Sequence, residues 1–126
     1  MNRNVVAKPF NLEDMKLVAE GIVRMIKDGV SQRVHVSGPP GIGKVSVYRD
    51  ALERHKVPYQ MLNLHFLGDL TPDEVTGMMT KIFERGGVVI LDETRDISSE
   101  LEQHINTLSG QFVQEGGSVI IFKTGV

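Results

Sequence analysis

The sequence predicts an α/β domain of three layers, with helices on both faces of a mostly parallel sheet. Three observations carry this reading. Apolar strand-like runs alternate with amphipathic helical stretches along most of the chain, the pattern that parallel βαβ units produce. Val88-Val89-Ile90-Leu91 is continuously apolar, as a strand is when helices cover both of its faces. Gly38-Pro39-Pro40-Gly41-Ile42-Gly43-Lys44 joins an alternating strand run directly to a helical one. Right-handed crossovers are expected between the parallel strands.

The elements follow in order. Residues 1–10 read as an extended lead-in. Asn11, with Asp14 three residues on, caps a helix whose apolar stripe is Leu12, Met15, Val18, Ile22, Met25 and Ile26 and which Gly29 ends. Gly21 inside it costs about 1 kcal/mol relative to Ala and marks close packing against a neighbour. The first strand spans about 33–37 and a helix follows the glycine-rich loop over about 43–55. Pro58 separates that helix from a strand at Tyr59–Phe66. Thr71-Pro72-Asp73-Glu74 is a helix start, with Thr as cap, Pro first inside and Glu in the capping-box position. Val75, Met78, Met79, Ile82 and Phe83 form the buried face of that helix, and Gly86-Gly87 closes it. After the apolar run 88–91, Ser99 and Glu102 form a second capping box for a helix lined by Leu101, Ile105, Leu108 and Phe112. Gly116-Gly117 ends it, and the last strand is 118–124.

At 126 residues the chain makes one domain with a single core. The net charge of −2, with charges well mixed, does not indicate nucleic acid. Without cysteine there is no disulfide framework and no thiolate metal site. No apolar leader and no run of membrane-spanning length is visible, so the expected protein is soluble and cytoplasmic.

The glycine-rich loop has the strand–loop–helix context of a phosphate site. Its glycines let successive N–H groups turn inward toward phosphate oxygens, and the following helix adds its free N–H groups and the positive end of its dipole. The candidate nucleotide contacts are Gly38, Pro39, Pro40, Gly41, Ile42, Gly43, Lys44, Val45 and Ser46. Lys44 supplies a mobile charge for the outer phosphates. The loop pattern places Ser or Thr directly after the lysine, where the hydroxyl binds Mg²⁺. Here that residue is Val45, and Ser46 comes one residue late. One residue is a rotation of about 100° on a helix, which turns Ser46 away from the metal.

The second half of the candidate site is Asp92-Glu93, at the end of the apolar run 88–91. A carboxylate at the C-terminal end of a buried strand faces the crevice where ligands bind in such sheets. Asp92 is the candidate Mg²⁺ ligand. Glu93 is the candidate group to orient or deprotonate an attacking water, with Lys44 as the other catalytic candidate.

The two motifs together resemble those of the AAA+ P-loop ATPases. Gly-Pro-Pro-Gly-Ile-Gly-Lys is similar to their Walker A form and Val-Val-Ile-Leu-Asp-Glu to their Walker B form. Asp69 through Gly77, and Gly86 through Arg95, are similar to segments of MoxR-like and dynein-related members. The resemblance covers about residues 30–124. It implies ATP and Mg²⁺ as ligands, a polar residue near the γ-phosphate at Thr124, and an arginine finger offered to a neighbouring subunit, with Arg85 and Arg95 as candidates. His65 and Asp69 lie near the same sheet edge. The family's fifth strand and helical lid are expected to be missing, and Val45 departs from its Walker A form.

The expected function is ATP binding with weak or partner-dependent hydrolysis, by a homo-oligomer or with an AAA+ partner. The alternative is a degenerate interaction module, of the phage or mobile-element kind, that docks on an AAA+ or replication partner without hydrolysing ATP. A small-molecule or nucleotide kinase ranks last, since no arginine cluster follows Asp92.

Overall fold

A computed structural model describes residues 2–9, 11–38, 43–63, 70–93 and 98–124. Among the described residues, nine elements alternate: β1 (Asn2–Ala7), α1 (Leu12–Lys27), β2 (Ser31–Gly38), α2 (Lys44–Arg54), β3 (Tyr59–Asn63), α3 (Pro72–Glu84), β4 (Val88–Glu93), α4 (Ser99–Gln114) and β5 (Ser118–Thr124). The strands form one sheet in the order β1-β2-β5-β4-β3, and every pairing is parallel.

The expected lead-in is a strand. Residues 2–7 pair with 31–36 of β2 in parallel register. This corrects the expectation of a core without a fifth strand: the sheet has five, and the N-terminal segment supplies one edge. The sequence Asn-Arg-Asn-Val-Val-Ala carries little strand propensity. Its extended form comes from the hydrogen-bonding edge that β2 offers. Residues 64–66 of the expected Tyr59–Phe66 strand lie outside the described residues.

Side chains alternate across the sheet and build two cores. Val34 and Val36 of β2, Val88 and Ile90 of β4, and Ile120 and Phe122 of β5 pack under α1 and α2. Val89 and Leu91 of β4 and Val119 and Ile121 of β5 pack under α3 and α4. Val88 through Leu91 are all at most 1 % exposed, as a strand covered on both faces requires. The chain crosses the sheet one way over the α1–α2 face and returns over the α3–α4 face, so the four crossovers share one hand.

Three helix starts follow local capping chemistry. The Asn11 side chain accepts from the Asp14 N–H. Thr71 and Glu74 form the reciprocal box, with Pro72 in the first turn. At α4 the cap is Ser98, whose hydroxyl accepts from the Leu101 N–H, and not Ser99. Glu102 therefore closes no box with Ser99; its carboxylate reaches Lys123 on β5.

Some expected core positions face outward. Leu12 is 45 % and Met78 39 % exposed, because the buried arcs of their helices centre on Met15–Ala19–Ile22–Val23 and on Val75–Met79. Gly21 is exposed, and a Cβ there would meet nothing within 4 Å, so it marks no close packing. Among the described residues, no helix is long and apolar enough to cross a membrane.

Candidate functional site

The sheet places its C-terminal strand ends in one row. Gly38 pairs with Thr124, Lys123 with Glu93, and Asp92 with Asn63. The two halves of the predicted site thus sit on β2 and β4, two strands apart, roughly 10 Å across the sheet, with the end of β5 between them. β2 leads to α2 on one face and β4 leads to α4 on the other. That divergence opens the crevice in which α/β sheets bind ligands.

On the β2 side, Gly43 precedes α2 with φ of 78°, a left-handed conformation that suits glycine. α2 has no side-chain cap and no acidic residue in its first turn, so the positive end of its dipole is unscreened by its own side chains. α1, α3 and α4 each carry two acids there. Lys44 opens the helix and is only 9 % exposed. Its Nζ donates to the Gly38 carbonyl at 2.9 Å, which holds the amine over the end of β2.

On the β4 side, strand alternation brings Asp92 to the α1–α2 face with Val88 and Ile90, the face that carries Lys44. Burial pushes the Asp92 carboxyl up from the usual carboxylate range, and Lys44 offsets part of the rise. Burial pushes the Lys44 amine down, and Asp92 offsets part of the fall. Each charge is therefore set mainly by desolvation and felt by the other, with β5 between their strands.

The residues flanking Lys44 diverge. Val45 is half-buried and packs against the core of the α1–α2 face. Ser46 is exposed and lines a groove between α1 and α2 with Lys16, Asp50 and Arg54. The helical rotation expected for Ser46 thus turns it toward α1.

Pro39, Pro40, Gly41, Ile42, His65, Asp69 and Arg95 lie outside the described residues. The side chains of Glu93 and Thr124 lie outside the description as well; their backbones occupy the row of strand ends. Arg85 caps the C-terminus of α3, exposed at the opposite end of the sheet from Gly38 and Asp92.

Three residues around this edge were passed over in the sequence. Asn63 ends β3 beside Asp92 and is half-buried. No local pattern singled it out: in the sequence it is one polar residue inside the expected strand Tyr59–Phe66, and only the pairing of β3 with β4 brings it beside Asp92. On the opposite face, Lys123 pairs with Glu102, and His35 of β2 lies half-buried near both. Burial first, then Arg33 and Lys123, lower the tendency of His35 to protonate, while Glu102 opposes them. No protein-family model matches the chain, and no curated protein matches it in sequence.

Proposed function

We propose that the protein binds ATP at the loop between β2 and α2, as an AAA+-like P-loop protein whose hydrolysis is weak or depends on a partner. The observation that carries this reading is Lys44. Its amine is desolvated, tethered to the Gly38 carbonyl and set beside an uncapped helix N-terminus, with Asp92 on the same face at the end of a buried parallel strand. An anion there would gain a cation and free N–H groups together.

The donor set fits a metal–phosphate pair. A phosphate alone would be repelled by Asp92, whereas a cation between them would satisfy the half-buried carboxylate. Asp92 is the residue that would hold Mg²⁺, and Lys44 the residue that would hold the phosphates. Bound there, the metal would neutralise charge that develops on the phosphates during transfer. Glu93 would orient or deprotonate the attacking water, and Thr124 would lie near the terminal phosphate. Val45 turns into apolar packing and offers no oxygen, which is the ground for weak turnover in the isolated chain.

The same packing of Val45 favours a second reading, an interaction module that docks on an AAA+ or replication partner without hydrolysing ATP. Titrating a fluorescent ATP analogue with and without Mg²⁺, then following phosphate release, separates the two. ATP binding that saturates below the millimolar range, with slow release of phosphate, supports the first. No binding at millimolar nucleotide overturns it and leaves the second.

A further inference from the structure

One edge of the sheet is open. β1 pairs on one side only, and no backbone hydrogen bond joins its other side to a described element. No described helix covers β1 on the α3–α4 face, where Asn4 is exposed and Val6 is 68 % exposed. Sheet edges are commonly blunted by proline, a bulge or inward-pointing charge. β1 has no proline and pairs residue for residue with β2, and its one arginine, Arg3, is turned onto Met25 of α1.

Between β1 and α4 runs a groove of about 260 Å³, lined by Arg3, Asn4, Arg33, Gly110, Val113 and Gln114. The Arg33 guanidinium is half-buried in it, donating to the Asn4 side-chain oxygen at 3.2 Å and to the Asn106 carbonyl at 3.3 Å. Gly110 makes room for this, since a Cβ there would lie 3.3 Å from Arg33 Nη1. Both acceptors are neutral, and neither Arg33 nor Arg3 has an ion pair among the described residues. A cation drawn out of water ordinarily gains a carboxylate.

The surroundings do not supply one. The chain has more acids than bases, 16 against 14, yet residues 2–9, β2 and α4 from Gln103 to Gln114 contain no acid. Glu102 is paired with Lys123. Glu115 lies about 140° around the helix from Gly110 and lines the groove on the α3 side instead. Asp28 caps α1, on the other face of the sheet. The negative end of the α4 dipole is felt mainly in the last turn, whereas Arg33 is bonded at Asn106, two turns before that end.

We propose that β1 takes an extended segment of a partner protein as a further strand, and that this segment seats a glutamate on Arg33. The added backbone bonds along the open side of β1. A carboxylate reaching over Asn4 meets the remaining guanidinium N–H groups in the charge-assisted pair that the chain itself lacks. Side chains on one face of a strand recur every second residue, so an apolar residue two positions from the glutamate covers Val6. The reading is independent of nucleotide binding, which uses the loop after β2.

The test uses the full chain, labelled with ¹⁵N, and the peptide acetyl-Val-Thr-Glu-Thr-Val-NH₂ as probe, with glutamine for glutamate as its neutral isostere. Saturable shifts are expected in residues 3–7, 33 and 106–110, with at least fivefold weaker binding of the glutamine peptide. Asn4→Asp keeps the acceptor for Arg33 and gives it a carboxylate, so folding is not at risk. It is expected to weaken the glutamate peptide at least fivefold and to leave the glutamine peptide unchanged. Equal binding of the two peptides, unchanged binding of the glutamate peptide to Asn4→Asp, or no shifts at millimolar peptide overturns the proposal. Shifts in these residues that grow with protein concentration alone would identify the β1 of a second copy as the occupant. The same shifts from a thymidine oligonucleotide but not from the peptide would identify a nucleic acid, and either result overturns the proposal equally.

Discussion

The Lys44 amine donates to the Gly38 carbonyl at 2.9 Å, so the first and last residues of the glycine-rich stretch are tied across its base. The bond keeps a desolvated cation at the end of β2. Lys44→Ala removes charge-assisted hydrogen bonds to phosphate worth about 1.5–3 kcal/mol, a loss of tenfold or more in ATP affinity. Equilibrium titration with a fluorescent ATP analogue measures it. Equal affinity in variant and parent would show that nucleotide, if bound, does not use this lysine.

Val45→Thr tests whether the missing hydroxyl limits turnover. The residues are nearly isosteric, and Val45 is half-buried against the α1–α2 core. The variant is expected to fold, to bind ATP with a steeper dependence on Mg²⁺, and to release phosphate faster than the parent. Brisk Mg²⁺-dependent hydrolysis by the parent itself would contradict this account of the site.

Two glycines should respond to alanine with opposite signs. Gly21 lies inside α1 with nothing within 4 Å of a Cβ. Gly21→Ala is expected to stabilise by about 0.5–1 kcal/mol, since it restricts the unfolded chain and improves helix propensity. Gly117→Ala drives a methyl into the Phe112 ring and is expected to cost about 1–3 kcal/mol. Urea midpoints decide both: an unchanged or raised midpoint for Gly117→Ala would refute the packing described for Phe112, and a lowered midpoint for Gly21→Ala the open space described at Gly21.

The start of α4 is open to a direct comparison of neighbours. Ser98 accepts from the Leu101 N–H, whereas Ser99 is the first helical residue. Ser98→Ala should lose about 1 kcal/mol, and Ser99→Ala should stay within about 0.5 kcal/mol. The reverse order in chemical denaturation would move the cap to Ser99.

His35 should contribute a pH dependence to stability. Burial, Arg33 and Lys123 lower its folded pKa, and Glu102 opposes them. The unfolded state therefore binds this proton more readily than the folded state. Stability is full above the ordinary histidine range, near pH 6.5, and falls as pH drops through it toward the lowered folded value. His35→Gln is expected to flatten stability measured between pH 7 and 5. An unchanged slope would mean that His35 titrates alike in both states.

What the sequence determined by itself was local. Asn11, Thr71-Pro72 with Glu74, and the run Val88–Leu91 act through hydrogen bonds within one turn or through burial of a whole strand, and both leave a pattern in neighbouring residues. The alternation of strand and helix, and with it the expectation of a mostly parallel sheet, follows from those patterns. The choice between Ser98 and Ser99 did not, because both are chemically able to cap and only the path of the chain decides. Tertiary structure alone made a strand of Asn2–Ala7, since that segment is extended by pairing with residues about 29 positions away. It also decided the strand order, which sets Lys44 and Asp92 on one face with β5 between their strands, and which brings Asn63 beside Asp92. It sent Glu102 to Lys123 rather than into a capping box. These are pairings between distant stretches. Their energy comes from hydrogen bonds and desolvated charges that exist only once the sheet is assembled, so no window of the sequence contains them.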